Sequence, residues 1–337
     1  MVSRLKRTTL TYRQERALEK TLQNIRAQRR NRFRVLACIN EDEDSYITVR
    51  FAARLAPGND CDAIVLFVRP IDQGLWSGGL QVRLARQNML EAGLDLPGVS
   101  HLKKALDVLK EEGIDTTDWT HETAHEDAWG DPAGDNKVVY TSPDNRTVVL
   151  KLKTAPEVAN GILDQYELGP YNLMILGESS SWRGDRKSWF SKGVVERVTM
   201  LSPCSVLVAR DSLEKRGFFI CTDGTARSMQ AVRRAAVLAH TVGEPITLFS
   251  VAPTTTLRSA AEENVENAKA LLKALGIAVA QSRTALGAPA ERIIEIGSDY
   301  KIIVVTDEGR SWWQRMWRGS VAYDVVRGAR TSVLDVR

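Results

Sequence analysis

The sequence predicts an α/β protein built from two tandem doubly wound domains, each with a five-stranded parallel sheet. The main observation is an internal repeat, because "LACINEDEDSYITVRFAARLA" (36–56) matches "FICTDGTARSMQAVRRAAVLA" (219–239) at a constant offset of 183 residues. Solenoid repeats have periods of roughly 20–50 residues, so this much longer period indicates two domains. Two shorter matches occur in the same order: 172–177 with 301–306, and 204–210 with 331–337.

Strands and helices are predicted to alternate in the second copy. The apolar runs "FFICT", "ITLFSV", "KIIVVT" and "TSVLDV" have the length and composition of buried strands. Parallel strands need helical crossovers and are buried on both faces, so apolar runs separated by helices predict a doubly wound sheet. The predicted helices are 226–242, 257–275, 289–299 and 319–329, and a further strand is predicted near 278–284.

The repeat also predicts the domain organisation. Residues 1–33 form a basic segment, 34–210 the first domain and 217–337 the second. The offset between the copies falls from 183 at the first strand to 129 at the fourth. The first domain must therefore carry additional residues, which we assign to an insertion around 77–148. Within it, 111–135 contain nine Asp or Glu and no Lys or Arg, which predicts a solvated acidic loop.

The N-terminal segment carries most of the positive charge. Residues 1–34 hold eleven Lys or Arg against two Glu, whereas the whole chain has a net charge of +4. Leu18, Leu22 and Ile25 have helical spacing, which predicts a basic helix with a thin apolar stripe. Such a helix suits nucleic acid, an anionic membrane, or docking on the protein itself. Because the stripe is narrow and lacks Trp and Phe, we favour docking and expect no nucleic-acid partner.

Composition excludes an integral membrane protein. Hydrophobic residues make up 43% of the chain and charged residues 26%, and no apolar run approaches the roughly 20 residues of a membrane span. The basic N-terminal segment lacks the apolar core and cleavage site of a secretory signal. Four cysteines form no CxxC pair and lie in or beside apolar runs: Cys38, Cys61, Cys204 and Cys221. We therefore expect a cytoplasmic protein without membrane insertion and with reduced cysteines.

Candidate binding residues follow the predicted strands of the second copy. Doubly wound sheets bind ligands at the carboxyl ends of strands, where the strand order reverses. Gly309, Gly319 and Ser320 follow the fourth strand; the glycines let main-chain amides approach an anion, and Ser320 opens a helix whose N-terminus favours phosphate. Asp223 follows the first strand and can accept a hydrogen bond from ribose or adenine. Alternatively, the glycines serve only a turn and a helix start, and Asp223 only caps a turn.

These residues resemble the universal stress protein family, over roughly 34–76 and 150–337. Family members that hold ATP show G-x2-G-x9-G-[ST] after the fourth strand and an Asp closing the first strand. Thr306 replaces the first glycine of that pattern in this chain. The resemblance implies an adenine-nucleotide site at these positions: Asp223, Val251, Thr306, Gly309, Gly319, Ser320 and Val321.

The resemblance further implies Rossmann-like domains with strand order 3-2-1-4-5 and an internal pseudo-dimer formed through their last strands. The implied ligand is ATP or a related adenine nucleotide, with or without Mg²⁺. The first copy departs from the family pattern, because Asn40 replaces the Asp that is Asp223 in the second copy. Ser180 replaces a glycine, and Val194 replaces the Ser or Thr of the motif. We interpret the first copy as a decayed site and a structural partner.

A second motif lies in the predicted insertion. "HETAH" (121–125) fits the H-E-x-x-H pattern of zinc peptidases, and Asp131 stands where one peptidase group places its third ligand. That group needs a glycine three residues after His125, but this chain has Ala128 there. The acidic segment also lacks the apolar residues at helical spacing that would place both histidines on a helix. We therefore interpret the motif as part of the loop. His121, His125 and Asp131 remain weak metal-ligand candidates without peptidase activity.

The leading hypothesis is a cytoplasmic tandem universal-stress-like protein whose second domain binds ATP or a relative. It would act as a sensor or adaptor in a stress response, with an unidentified protein partner. The sequence offers no nucleophile–base pair for turnover beyond slow ATP hydrolysis. Two alternatives stay open, namely a nucleotide-free interaction scaffold and a metal-dependent hydrolase built on the insertion. Homodimer formation also stays open.

Overall fold

Strands and helices alternate throughout the second half of the chain, as the sequence predicts. The computed structural model describes residues 32–58, 60–70, 98–128, 131–167, 170–178, 189–306 and 320–337. The predicted basic helix within 1–33 lies almost wholly outside the described residues. None of the helices in the described ranges combines the length and apolar character that crossing a membrane requires.

The first half of the chain ends with its seventh strand. Its strands are β1 (Phe33–Ile39), β2 (Cys61–Pro70), β3 (Thr120–Ala128), β4 (Asp131–Thr141), β5 (Thr147–Ala155), β6 (Leu173–Gly177) and β7 (Ser205–Ala209). Its helices are α1 (Ile47–Leu55), α2 (Val99–Glu111), α3 (Val158–Glu167) and α4 (Trp189–Leu201).

The second half begins with the next strand and agrees closely with the predicted elements. Its strands are β8 (Phe218–Cys221), β9 (Ile246–Ala252), β10 (Gln281–Leu286), β11 (Ile302–Thr306) and β12 (Ser332–Val336). Its helices are α5 (Ala226–Thr241), α6 (Arg258–Ala274), α7 (Pro289–Gly297) and α8 (Val321–Gly328).

The described strands form one sheet in the order β10-β9-β8-β11-β12-β7-β6-β1-β2-β5-β4-β3. Within the second half all neighbouring strands are parallel. Their order is third, second, first, fourth, fifth, which is the order 3-2-1-4-5 that the family resemblance implies. The first half repeats the order with β5-β2-β1-β6-β7, and these strands are again parallel.

The prediction of a solvated acidic loop over 111–135 is wrong, because β3 and the beginning of β4 lie within that range. This hairpin lies between α2 and β5, and both of its strands pair antiparallel with their neighbours. The reason is long-range pairing: Val138 and Tyr140 of β4 pack against the core, and β3 pairs with β4 as the last strand of the sheet. The insertion around 77–148 also contains α2, which belongs to the repeat. Its "LKEEGI" (109–114) matches "LKALGI" (272–277) at the end of α6.

A carboxylate ties the hairpin to the parallel sheet. The Asp135 side chain accepts hydrogen bonds from Lys153 Nζ at 2.5 Å, from the Thr154 amide at 2.7 Å and from Thr154 Oγ1 at 2.8 Å. Partial burial raises the pKa of Asp135, but the hydrogen bonds from Lys153 and Thr154 outweigh it and hold the pKa below its usual value. Asp135 is therefore an ionised anchor between β4 and β5.

The two halves meet through their last strands. β7 and β12 pair antiparallel, with Leu207 opposite Leu334. Arg210 follows β7 and is 3% exposed. It donates to the main-chain oxygens of Val326, at the C-terminus of α8, and of Thr331, the latter at 3.1 Å. A cation placed at a helix C-terminus satisfies carbonyls that lack helical partners and interacts favourably with the helix dipole.

The same contact occurs in the opposite direction. Arg337 follows β12 and corresponds to Arg210 in the repeat. It donates to the main-chain oxygens of Thr199, Met200 and Ser202, at the C-terminus of α4. Each half therefore supplies an arginine that caps the last helix of the other half. We call this arrangement, together with the β7–β12 pairing, the β7–β12 junction.

We expect Arg210→Met to lower the free energy of unfolding by about 3 kcal/mol, because it leaves Glu178 and buried carbonyls without their cationic partner. Urea unfolding measures this change. The matched control is Arg197→Met, which removes an exposed ion pair with Glu157 and should cost less than about 1 kcal/mol. Equal losses in the two variants would contradict the assigned role of Arg210.

Asp135→Asn should lower the free energy of unfolding by about 1–2 kcal/mol at pH 7. Because the pKa of Asp135 is lowered by folding, its contribution is complete above the unfolded value of about 4 and is lost as pH falls further. Urea unfolding at pH 7 and pH 3 should therefore show the parent–variant difference shrinking at pH 3. Asp144→Asn, in the exposed turn before β5, is the control. A difference that grows on acidification would refute the prediction.

Candidate functional site

The candidate site lies at the carboxyl ends of β8 and β11, which are neighbours in the sheet. From β8 the chain continues to β9 on one side, and from β11 it continues to β12 on the other. The strand order reverses between them, which is where open α/β sheets leave a crevice for ligands. Asp223 and Thr306 follow or end these two strands, as the sequence predicts.

Asp223 lies in the tight turn between β8 and α5. Its Oδ1 accepts hydrogen bonds from the Thr225 amide at 3.0 Å and from Thr225 Oγ1 at 2.7 Å. Thr225 in turn is the N-cap of α5 and accepts from the Ser228 amide. Partial desolvation raises the pKa of Asp223, but hydrogen bonds from Ser228 and Thr225 outweigh it and lower the pKa. Asp223 therefore caps the turn, the alternative role considered above, and remains an anionic acceptor.

Three residues beside Asp223 were missed by the sequence analysis. Gly224 has a φ of +78°, and a Cβ added there would lie 2.0 Å from Asn264 Oδ1. Asn264, on α6, donates from Nδ2 to Ser250 Oγ at 3.4 Å, and Ser250 belongs to β9. The glycine is thus required both by the backbone conformation and by the close approach of Asn264. The only sequence signal was the Asp-Gly pair at a strand end.

Val251 and Thr306 lie at the carboxyl ends of β9 and β11, the strands on either side of β8. Val251 is partly exposed at the end of β9, in register with Ala285 of β10. Thr306 Oγ1 donates to the main-chain oxygen of Val336 at 2.9 Å. The hydroxyl of Thr306 is therefore used within the sheet, at the position where the family pattern has its first glycine.

Ser320 and Val321 begin α8. Ser320 is the N-cap in an extended conformation, and its carbonyl accepts from the Asp324 amide at 3.0 Å. Its side chain makes no capping hydrogen bond to α8. The first amides of this helix therefore keep their capacity to bind an anion. Gly309 and Gly319 lie outside the described residues.

The first half differs at both equivalent positions. Asn40 forms the turn after β1, with its Oδ1 accepting from the Asp42 amide at 2.9 Å, so a neutral amide stands where the second half has a carboxylate. Gly193 and Val194 lie inside α4, which already begins at Trp189. The helix start that would receive a phosphate beside Gly193 is therefore shifted, which agrees with a decayed site.

The H-E-x-x-H motif lies on β3, so its interpretation as a loop is wrong. His121 stands opposite Tyr140 and His125 opposite Asn136, with Nδ1 of His125 2.9 Å from Asn136 Oδ1. Four residues along a strand span about 13 Å, whereas zinc lies about 2 Å from each histidine ligand. The two imidazoles therefore cannot share an ion on this strand. Asp131 begins β4, and the described residues contain no cluster of three or more candidate metal ligands.

Comparisons with known proteins agree with this geometry. The model of the universal stress protein family matches residues 218–337. A universal stress protein from Archaeoglobus fulgidus DSM 4304 is 14% identical with a TM-score of 0.56, over 90% of this chain and 96% of that chain. A functionally unknown protein from Pseudomonas aeruginosa PAO1 is 15% identical with a TM-score of 0.56, over 92% of this chain and 94% of that chain.

A third solved structure, a universal stress protein in complex with cAMP, is 25% identical with a TM-score of 0.34, over 36% of this chain and 97% of that chain. No curated protein matches this chain. The family match covers the half that retains the candidate site, and the first two likenesses extend over both halves. Residues 218–337 are therefore a domain of the universal stress protein family, in a chain whose overall fold is that of a solved universal stress protein.

Proposed function

We propose that the second half binds ATP or a related adenine nucleotide between the carboxyl ends of β8 and β11. The observation that carries the proposal is the pairing of an anionic acceptor, Asp223, with the available N-terminus of α8 on the two sides of the crevice. Asp223 suits the hydroxyls of a ribose or the amino edge of adenine. The first amides of α8, beside Ser320, suit phosphate.

The remaining predicted residues complete this assignment. Val251 offers an apolar surface at the end of β9, where an adenine ring would lie. Gly309 and Gly319 would let the main chain approach the phosphates, and a bound Mg²⁺ would neutralise part of their charge. Asn264, held beside Gly224, is an additional polar group at the same sheet edge.

We propose a sensor or adaptor in a stress response rather than an efficient enzyme. Among the described side chains at this edge, the Thr306 hydroxyl donates to Val336 and Asp223 accepts from Thr225. Neither forms a nucleophile–base pair of the kind that activates a hydroxyl or a water. Nucleotide binding would then act by stabilising one conformation for an unidentified protein partner, with at most slow hydrolysis.

A nucleotide-free scaffold is the second candidate. It is favoured by Thr306, whose side chain stands where the family pattern has a glycine and whose hydroxyl is used in the sheet. A metal-dependent hydrolase based on the insertion has no comparable support, since its two histidines are separated along β3.

A cytoplasmic location is proposed from the cysteines. Cys38, Cys61 and Cys204 are buried and all four cysteines are free. Burial raises the pKa of the Cys38 and Cys221 thiols well above the usual range, so these thiols are protonated and unreactive. Free thiols are the usual state in a reducing compartment.

Asp223→Asn should weaken ATP binding about tenfold, because a neutral amide replaces a charge-assisted acceptor, worth roughly 1.5–3 kcal/mol. The turn should persist, since Asn40 forms the same turn in the first half. Isothermal titration calorimetry of the full chain measures the affinity. Asn40→Asp is the matched control and should neither add a site nor change the affinity. No binding by the parent, or equal affinity in Asp223→Asn, would contradict the proposed function.

A further inference from the structure

Two equivalent positions flank the β7–β12 junction on the face of the sheet that carries α1 and α5. The repeat relates them, because α5 corresponds to α1 and β12 to β7. One position is a cleft of about 780 Å³, left open by the residues that the structure describes, between α5 and the amino ends of β1, β6 and β7. Its lining includes Phe33, Asn172, Ser205, Arg233, Arg234 and Val237.

The equivalent position on the other side is filled by the connection between β7 and β8. Ser212 Oγ donates to the main-chain oxygen of Lys301 at 2.8 Å and lies 2.7 Å from Ser332 Oγ. Leu213 is 9% exposed and packs in the core cluster, and its carbonyl accepts from Arg54 at 3.4 Å. In the open cleft, the repeat places Asn172, Ser205 and Val237 at the positions of Lys301, Ser332 and Arg54. The molecule thus contains an example of what such a cleft holds: a short segment whose buried leucine lies in a turn, closed by the hydrogen bond from the Lys215 amide to the Ser212 carbonyl at 3.1 Å.

The two positions differ in their charge balance. Arg50 donates to Glu111 at 2.6 Å and to Glu112 at 3.0 Å, and Arg54 donates to Glu112 at 2.7 Å. In the second half, α6 carries Ala274 and its C-cap is Leu275 at the positions of these two glutamates.

The open cleft is therefore cationic and apolar at once. Arg233 corresponds to Arg50, yet it forms no ion pair with any residue that the structure describes. Its neighbour Arg234 donates to the main-chain oxygen of Arg337. Val237, which lines the cleft, is 48% exposed. A complementary ligand must offer carboxylates beside an aliphatic group, because an arginine that has no ion pair among the described residues and an exposed aliphatic side chain both gain by such contact.

We propose that this cleft binds a short acidic segment of a partner protein, with a leucine-sized side chain entering the cleft. Carboxylates on either side of that side chain would pair with Arg233 and Arg234. A hydroxyl of the segment would reach Ser205 and the main-chain oxygen of Asn172, as the Ser212 hydroxyl reaches Ser332 and the main-chain oxygen of Lys301 in the filled position. The cleft lies on the same sheet edge as Asp223, because β12 and β7 are antiparallel and the cleft is lined by the amino ends of first-half strands. Its lining nevertheless shares no residue with the proposed nucleotide site. The proposal does not depend on nucleotide binding.

The test uses the full chain and a fluorescein-labelled hexapeptide, Asp-Asp-Ser-Leu-Glu-Glu, which extends the sequence of residues 211–214 by one acidic residue at each end. Fluorescence polarisation should show saturable binding. The Arg233→Glu/Arg234→Glu variant should weaken it at least tenfold, and so should replacing the leucine of the probe by serine. Lys269→Glu, an exposed charge reversal on α6 away from the cleft, should leave the affinity unchanged.

Several outcomes would overturn the proposal. Absence of saturable binding, or equal affinity in the double variant, removes the site. Undiminished binding of the serine probe together with displacement by inorganic pyrophosphate would make the cleft a simple anion site. A dimer in gel filtration that the double variant abolishes would identify a second copy as the occupant. The thermal unfolding midpoint checks that the variants fold, and Arg233→Glu alone is used under the same criterion if the double variant does not.

Discussion

The antiparallel pairing of β7 with β12 determines how the rest of the molecule is arranged. It joins two parallel sheets into one and, with the Arg210 and Arg337 caps, fixes the last helix of each half against the other. Antiparallel pairing also turns the two halves in opposite directions. Their carboxyl edges, where doubly wound sheets bind ligands, therefore lie on opposite edges of the common sheet. Neither candidate site can therefore complete the other.

We propose that this independence let the site of the first copy decay while that of the second copy was retained. Once the first half had a structural role through the junction, its ligand edge could change without loss of the fold. Asn40 forms the same turn as Asp223 but carries no charge. Gly193 lies inside α4 instead of preceding it. The two copies also differ in how their equivalent arginines, Arg50 and Arg233, are neutralised. Arg50 is neutralised within the first half, whereas Arg233 of the second half faces an open cleft.

The sequence predicted those features that depend on local periodicity and on the repeat. Strand and helix order in the second half was predicted from apolar runs that bury both faces. The positions of Asp223 after a strand and of Ser320 at a helix start were predicted in the same way, and their role in binding is proposed. The β3–β4 hairpin was missed because β3 has no apolar alternation and is stabilised by pairing with β4. Asn264 and the two arginine caps were missed for a related reason. They act on main-chain or polar groups far away in sequence, and no local pattern encodes such contacts.

Native mass spectrometry of the freshly purified full chain tests the central claim most directly, because it counts ligands per chain without assuming which nucleotide is bound. We expect the mass of the native chain to exceed that of the polypeptide by one adenine nucleotide, with or without Mg²⁺. Two nucleotides per chain would contradict the decay of the first site. A chain that carries none, even after incubation with excess ATP, would contradict nucleotide binding by the second half and favour the scaffold.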